Sequence, residues 1–127
     1  MINKKPWGTE EIWATTHHSV GKILTINPGA RLSRKYHKIK NHNIRVLKGS
    51  ITIEEGPFGP GGDIHEVKLT DGMTYLMPAN VIHRLCAGPD GATLLDLSPG
   101  GCSDSVRLED DYRRVTVVPE RAPQSDK

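Results

Sequence analysis

Two glycine-bounded stretches constrain this chain more than anything else in it. The first, GARLSRKYHKIKNHNIRVLKG from Gly29 to Gly49, carries His37 and His42. The second, GMTYLMPANVIH from Gly72 to His83, carries a third histidine after a turn built on Pro78, Ala79 and Asn80. Two imidazoles from one hairpin and one from another are expected to converge on a single point inside a small β-barrel. That point is the candidate site.

The rest of the chain supports an all-β reading. With 127 residues it suits one domain and one core. Its 13 glycines and 9 prolines punctuate short runs rich in Val, Ile, Leu, Thr and Tyr. Strands are expected at 10–15, 20–26, 31–37, 42–47, 51–55, 64–69, 73–77, 81–86, 92–97 and 106–112. Turns are expected at Lys5-Pro6-Trp7-Gly8, Asn27-Pro28-Gly29, Lys48-Gly49-Ser50, Asp71-Gly72 and Gly88-Pro89-Asp90-Gly91, with a loop over 56–62. Eight to ten short strands at this spacing predict a barrel or sandwich. In extended chain Lys35 and His37 share one face, while Arg34 and Tyr36 share the other. The barrel with its N-terminal arm is expected over 1–116 and a polar tail over 117–127.

Charge and cysteine usage exclude some classes. Lys and Arg number 17 against 15 Asp and Glu, so overall charge gives no reason to expect nucleic acid. The distribution is uneven: seven basic and no acidic residues lie between Arg31 and Lys48, and Glu109-Asp110-Asp111 follows later. The basic run is either a solvated face or an anion-binding surface. Cys86 and Cys102 are too few for a disulfide scaffold; free thiols or a single bridge remain. No run approaches the ~20 apolar residues of a spanning helix. The expected protein is soluble and cytoplasmic, without membrane or nucleic-acid partners.

The spacings bring in a resemblance. Gly29, five residues, Lys35, one residue, His37, four residues, His42, six residues, Gly49 resembles the first cupin motif, which places His, His and Glu where Lys35, His37 and His42 stand. Gly72, five residues, Pro78, one, Asn80, two, His83 resembles the second, which has Gly at the Asn80 position. Lys5-Pro6-Trp7-Gly8, Gly21-Lys22-Ile23-Leu24, Leu32-Ser33, His83-Arg84 and the run from Val106 to Tyr112 are similar to one branch. That branch is the cupin domain of type II mannose-6-phosphate isomerases, the C-terminal half of many bifunctional mannose-1-phosphate guanylyltransferases. The resemblance covers about Lys4 to Arg114. It implies a single-domain cupin, that is, a double-stranded β-helix or jelly-roll barrel. Guanylyltransferase activity is not implied, because no nucleotidyltransferase domain accompanies the barrel.

The resemblance also implies a divalent metal, held in that branch by Gln, His, Glu and His. Here the Gln position is Lys35 and the Glu position is His42, while His37 and His83 are unchanged. The family's Tyr-Gly-Arg after the acidic pair reads Tyr112-Arg113-Arg114. His37, His42 and His83 are a reasonable ligand set for Zn, Mn, Fe, Co or Ni. An ammonium has no lone pair to give a metal. The site is therefore either a three-histidine centre with Lys35 as acid/base, or a metal-free site in which Lys35 takes the ion's place. His17, His18 and His65 fall outside both stretches and are expected at the surface.

Sugar-phosphate isomerisation, the activity the resemblance implies, moves a proton through an enediol. It needs a carbonyl polariser, a base and cations for the phosphate. Lys35 and Arg107 are the catalytic candidates. Lys22, Arg84 and Tyr36 are the substrate-binding candidates. Arg107 alternatively pairs with Glu109 and Asp110, and Lys22 and Arg84 are alternatively snorkelling strand residues. The leading expectation is an isomerase or epimerase of a phosphorylated or anionic sugar. The alternatives are a sugar- or anion-binding module without turnover and a three-histidine dioxygenase. A homodimer is expected by resemblance, with Ile2, Trp7, Ile12 and Trp13 as the partner surface unless Trp7 caps the barrel.

Overall fold

The computed structural model of the chain describes residues 1–101 and 103–113. Cys102, Arg114 and the expected polar tail lie outside the described residues. Among the described residues nine strands form one sheet: β1 (Ile2–Lys5), β2 (Gly8–Thr15), β3 (Ser19–Ile26), β4 (Arg34–His37), β5 (His42–Phe58), β6 (Asp63–Thr70), β7 (Thr74–Met77), β8 (His83–Pro99) and β9 (Ser105–Glu109). All pairings are antiparallel. Among the described residues there is no helix, and so none long and apolar enough to cross a membrane.

The spine is the ribbon of β5 and β8, each 17 residues long. On its far edge β8 carries β3 along residues 92–99 and touches β4 at His83. On its far edge β5 carries β7 along 42–45 and β6 along 50–58. One ribbon therefore serves both halves of a curled sheet. Two expected turns are corrected here. Lys48-Gly49-Ser50 and Gly88 to Gly91 do not reverse the chain; β5 and β8 run through them, with register shifts between Val46 and Lys48 and between Gly49 and Ile51. The glycines serve as bulges that bend a continuing strand. Gly49 has φ +94°, and a Cβ there would run into the carbonyl of Gly91.

The other differences are small. β1 was not expected; it pairs with the start of β2 around the Pro6-Trp7 turn. The loop after β5 shrinks to residues 59–62, and the 31–37 strand shortens to β4, preceded by an isolated Arg31–Cys86 bridge. Asn80 adopts φ 64° where the resembled motif has glycine. Cys86 carries a free thiol.

Alternation decides which side chains face inward. Along β5, His42, Ile44 and Val46 are buried while Asn43, Arg45 and Leu47 are exposed. Along β8, Ala92, Leu94, Asp96 and Ser98 are buried; along β3, Lys22, Leu24 and Ile26. The inner face is thus apolar through Leu24, Val46, Ile53 and Leu94, and polar where Lys22, His42 and Asp96 stand. Trp7 is 4% exposed and packs into this core, so it leaves the expected partner surface; Ile2 and Trp13 remain exposed.

Candidate functional site

The polar end of the inner face opens into a cavity of about 610 Å³, solvent at its mouth included. Its floor is Leu24, Leu32, Met77 and Leu85. Five strands bring residues expected from the sequence to its wall. β4 supplies Lys35 and His37 from one face, β5 opens with His42, β8 opens with His83, and β9 supplies Arg107. Lys22 reaches the cavity from β3. Lys35 is the Cα partner of both His83 and Arg107, which is how β4 joins its two neighbours at this point.

The three imidazoles stand together. The His37 ring lies 4.0 Å from that of His42 and 5.3 Å from that of His83, centroid to centroid, inclined by 27° in each case. Each Nδ1 faces an acceptor: His42 donates to Asp96 Oδ1 at 2.9 Å, His37 to Asp104 Oδ1 at 3.3 Å, and His83 to the Val81 carbonyl at 3.1 Å. With Nδ1 carrying the proton, Nε2 is left as the basic nitrogen. His42 Nε2 is buried and has no hydrogen-bond partner.

Electrostatics keep two of the rings neutral. Burial, then the neighbouring His42, His83 and Lys35, lowers His37 to about 3. Burial, then Lys35, lowers His83 to about 4. Asp104 behaves oppositely. Burial works against its charge, but the backbone amides of Ile39 and Lys40 and the His37 ring hold its carboxyl below the usual range.

Donor types alone suit a divalent metal, and the carboxylate behind His42 is a frequent companion of metal-bound imidazole. The arrangement does not suit one. Stacked rings inclined by 27° have planes that meet far from either ring, whereas a shared zinc sits about 2.1 Å from each nitrogen. Among the described residues no group of three or more His, Cys, Asp or Glu is placed to hold a metal ion. Lys35 adds a positive charge close enough to depress both His37 and His83. His37, His42 and His83, expected as a three-histidine centre, here stand stacked beside Lys35.

Two expected site residues lie elsewhere. Arg84 is 3% exposed and turned away from the cavity. Its Nε donates to the Leu32 carbonyl at 2.9 Å and its Nη2 to Asp111 at 2.7 Å, so its guanidinium is spent on structure. Tyr36 is on the opposite face of β4 and does not line the cavity. Arg107 does line it; of the two acidic residues it was weighed against, Glu109 and Asp110, Glu109 is held by Arg34 at 2.6 Å. Lys22 faces Glu10 at 3.6 Å. His17, His18 and His65 are exposed.

Sequence reasoning missed Glu10, Ser33, Asp96 and Ser105, which share the cavity, and Asp104 behind His37. Asp96 had a signal. In Ala92-Thr93-Leu94-Leu95-Asp96 it falls on the face of Ala92 and Leu94, and a carboxylate among inward apolar residues marks a site. Glu10 shares a face with Ile12 by the same alternation, but nothing local says which face of β2 is inward.

No protein-family model matches the chain. Over 115 residues it is 28% identical to the xanthan biosynthesis protein XanB of Xanthomonas campestris pv. campestris, covering 87% of this chain and 23% of that protein. The chain therefore spans about a quarter of the length of that curated relative. Among solved structures, the capsular polysaccharide assembling protein CapF of Staphylococcus aureus superposes with TM-score 0.74 at 17% identity, over 86% of this chain and 32% of that one. A Klebsiella pneumoniae protein with a double-stranded β-helix domain superposes with TM-score 0.65 at 17% identity, over 80% of this chain and 84% of that one. The fold is the double-stranded β-helix of the cupins.

Proposed function

We propose that this protein is an isomerase or epimerase that moves a proton on an anionic sugar derivative, with His42 as the base. The observation that carries the reading is one pairing. His42 is fixed by Asp96 at 2.9 Å, its buried Nε2 has no partner, and the residue lines the cavity that Lys35 and Arg107 also line. A carboxylate on Nδ1 sets the tautomer and stabilises the imidazolium that forms when Nε2 takes a proton. Enediol chemistry also needs positive charge at the developing oxyanion. Lys35 provides it beside the histidines, and Arg107, its partner across the β4–β9 pairing, provides a fork for a phosphate or carboxylate. His37 and His83, both held neutral, donate no charge of their own to the site near pH 7.

The names of two similar proteins, one of xanthan biosynthesis and one of capsular polysaccharide assembly, support a sugar substrate. Hexose 6-phosphates, mannose 6-phosphate first, are the compounds to try. The test is solvent exchange. Purified protein in D2O with a chelator is incubated with each hexose 6-phosphate, and deuterium at the carbon beside the carbonyl is followed by NMR. Exchange is expected, reduced about 10²- to 10⁴-fold in His42→Gln. If no hexose phosphate exchanges although it binds, the protein is a sugar- or anion-binding module and the enzymatic reading falls.

A further inference from the structure

We propose that Glu10, set in place by Lys22, reads the hydroxyl groups of the ligand, so that the cavity selects polyhydroxylated anions over simple ones. Glu10 is 5% exposed on β2 and lines the cavity. Its Oε2 faces the Lys22 ammonium at 3.6 Å, and both side chains are almost fully buried. Its Oε1 is buried with no hydrogen-bond partner. Ser33 Oγ, on a residue 1% exposed, is in the same condition, and so is His42 Nε2. All three residues line one cavity.

The chemistry of these atoms defines their complement. An ionised carboxylate only accepts hydrogen bonds, and an imidazole whose Nδ1 donates accepts at Nε2. A buried acceptor left unpaired is costly, so what fits against it is a donor. The serine hydroxyl serves either way. A phosphate or carboxylate placed against Glu10 would meet like charge, whereas carbon-bound hydroxyls would not. Glu10 and Lys22 come from β2 and β3, while the cations Lys35 and Arg107 come from β4 and β9. On this assignment the anionic group of the ligand lies against Lys35 and Arg107 and its hydroxyls against Glu10. The inference rests on the proposed reading only in taking this cavity as the substrate site.

The test is binding, independent of turnover. Calorimetry compares mannose 6-phosphate, fructose 6-phosphate and inorganic phosphate on wild type, Glu10→Gln and Ser33→Ala. Wild type is expected to bind the hexose phosphates at least about tenfold more tightly than inorganic phosphate, and Glu10→Gln to remove most of that preference. Affinity for inorganic phosphate is expected to stay within about twofold in Ser33→Ala, and not to fall in Glu10→Gln, which takes a like charge out of the cavity. If Glu10 were only a structural partner of Lys22, the variant would lower the melting temperature and leave the preference unchanged. If Glu10→Gln fails to fold, Ser33→Ala carries the comparison. An unchanged preference in the folded variants, equal binding of sugar phosphate and phosphate by wild type, or no binding of either hexose phosphate overturns the proposal. Lost preference with no deuterium exchange would instead leave hydroxyl recognition standing and remove catalysis.

Discussion

At the scale of single residues, Lys35 decides what three clustered imidazoles become. It stands where the resembled cupins place a neutral ligand. An ammonium gives a metal no lone pair, and at close range it opposes a second cation. Its influence is visible on two of the rings, which it helps hold neutral. Replacing it by Gln would remove the charge and return a donor oxygen. The expected outcome is that wild type takes up little cobalt, while Lys35→Gln binds Co(II) with new visible absorption. Stoichiometric cobalt in wild type would contradict this account of Lys35. Asp96 makes a second prediction of the same kind. Asp96→Asn keeps the shape of the group on His42 but permits the other tautomer, so deuterium exchange should fall by about 10²- to 10⁴-fold. Hexose-phosphate affinity should change much less, and equal losses of binding and exchange would make Asp96 a structural residue.

At the scale of elements, charge clusters and glycines show how far local sequence reaches. The basic run and the acidic run are plain in the sequence, but their meeting is not. Arg34 lies between Glu109 at 2.6 Å and Glu54 at 2.9 Å, and Arg31 and Arg84 share Asp111. Two of the seven basic residues in that run, Arg31 and Arg34, thus tie β9 and the segment after it to the barrel. Glycine shows the same limit. Gly49 and Gly72 carry one local signal, positive φ, yet Gly72 ends in a turn and Gly49 bends a continuing strand. What separates them is the partner strand, information that lies tens of residues away. The two sites predict different costs for alanine. At Gly72 nothing lies within 4 Å of an added Cβ, so the penalty is conformational alone, about 1 kcal/mol. At Gly49 the Cβ would also meet the backbone of Gly91, and the loss should exceed that of Gly72→Ala by about 1–3 kcal/mol. Urea unfolding of both variants checks it; equal losses would mean that the bulge relaxes freely.

At the scale of the whole molecule, the two motif stretches made the barrel and the meeting of His37, His42 and His83 legible, because motif spacing and period-two alternation are both local. Glu10 was not, since its role depends on which sheet face closes on itself, and Asp96 left only the signal of a carboxylate on the face of Ala92 and Leu94. That closure buries imidazoles, and burial has a consequence for stability. His83 is held at about 4 in the fold, chiefly by burial and then by Lys35, against about 6.5 in an unfolded chain. The groups around it are Lys35 and His37 on β4, His42 on β5 and Asp96 on β8. As pH falls from 6.5 toward 4, the unfolded chain takes up a proton that the folded ring refuses, so folding stability falls over this window. A shift of this size corresponds to about 3 kcal/mol. His37, held lower still, extends the loss in the same direction. The carboxyls of Glu109 and Asp111 act separately: arginine partners hold them below the usual range, so their contribution is present above it and is lost at still lower pH, and Asp104, hydrogen-bonded to His37, acts in the same sense. Urea unfolding between pH 7.5 and 4.5 isolates the histidine step from the carboxylates. Wild type should lose stability steadily across that range, and His83→Gln, which cannot titrate, should lose markedly less. Parallel curves for the two proteins would mean that the His83 ring accepts its proton inside the fold over the same pH range as in the unfolded chain, and that burial and Lys35 do not hold it down.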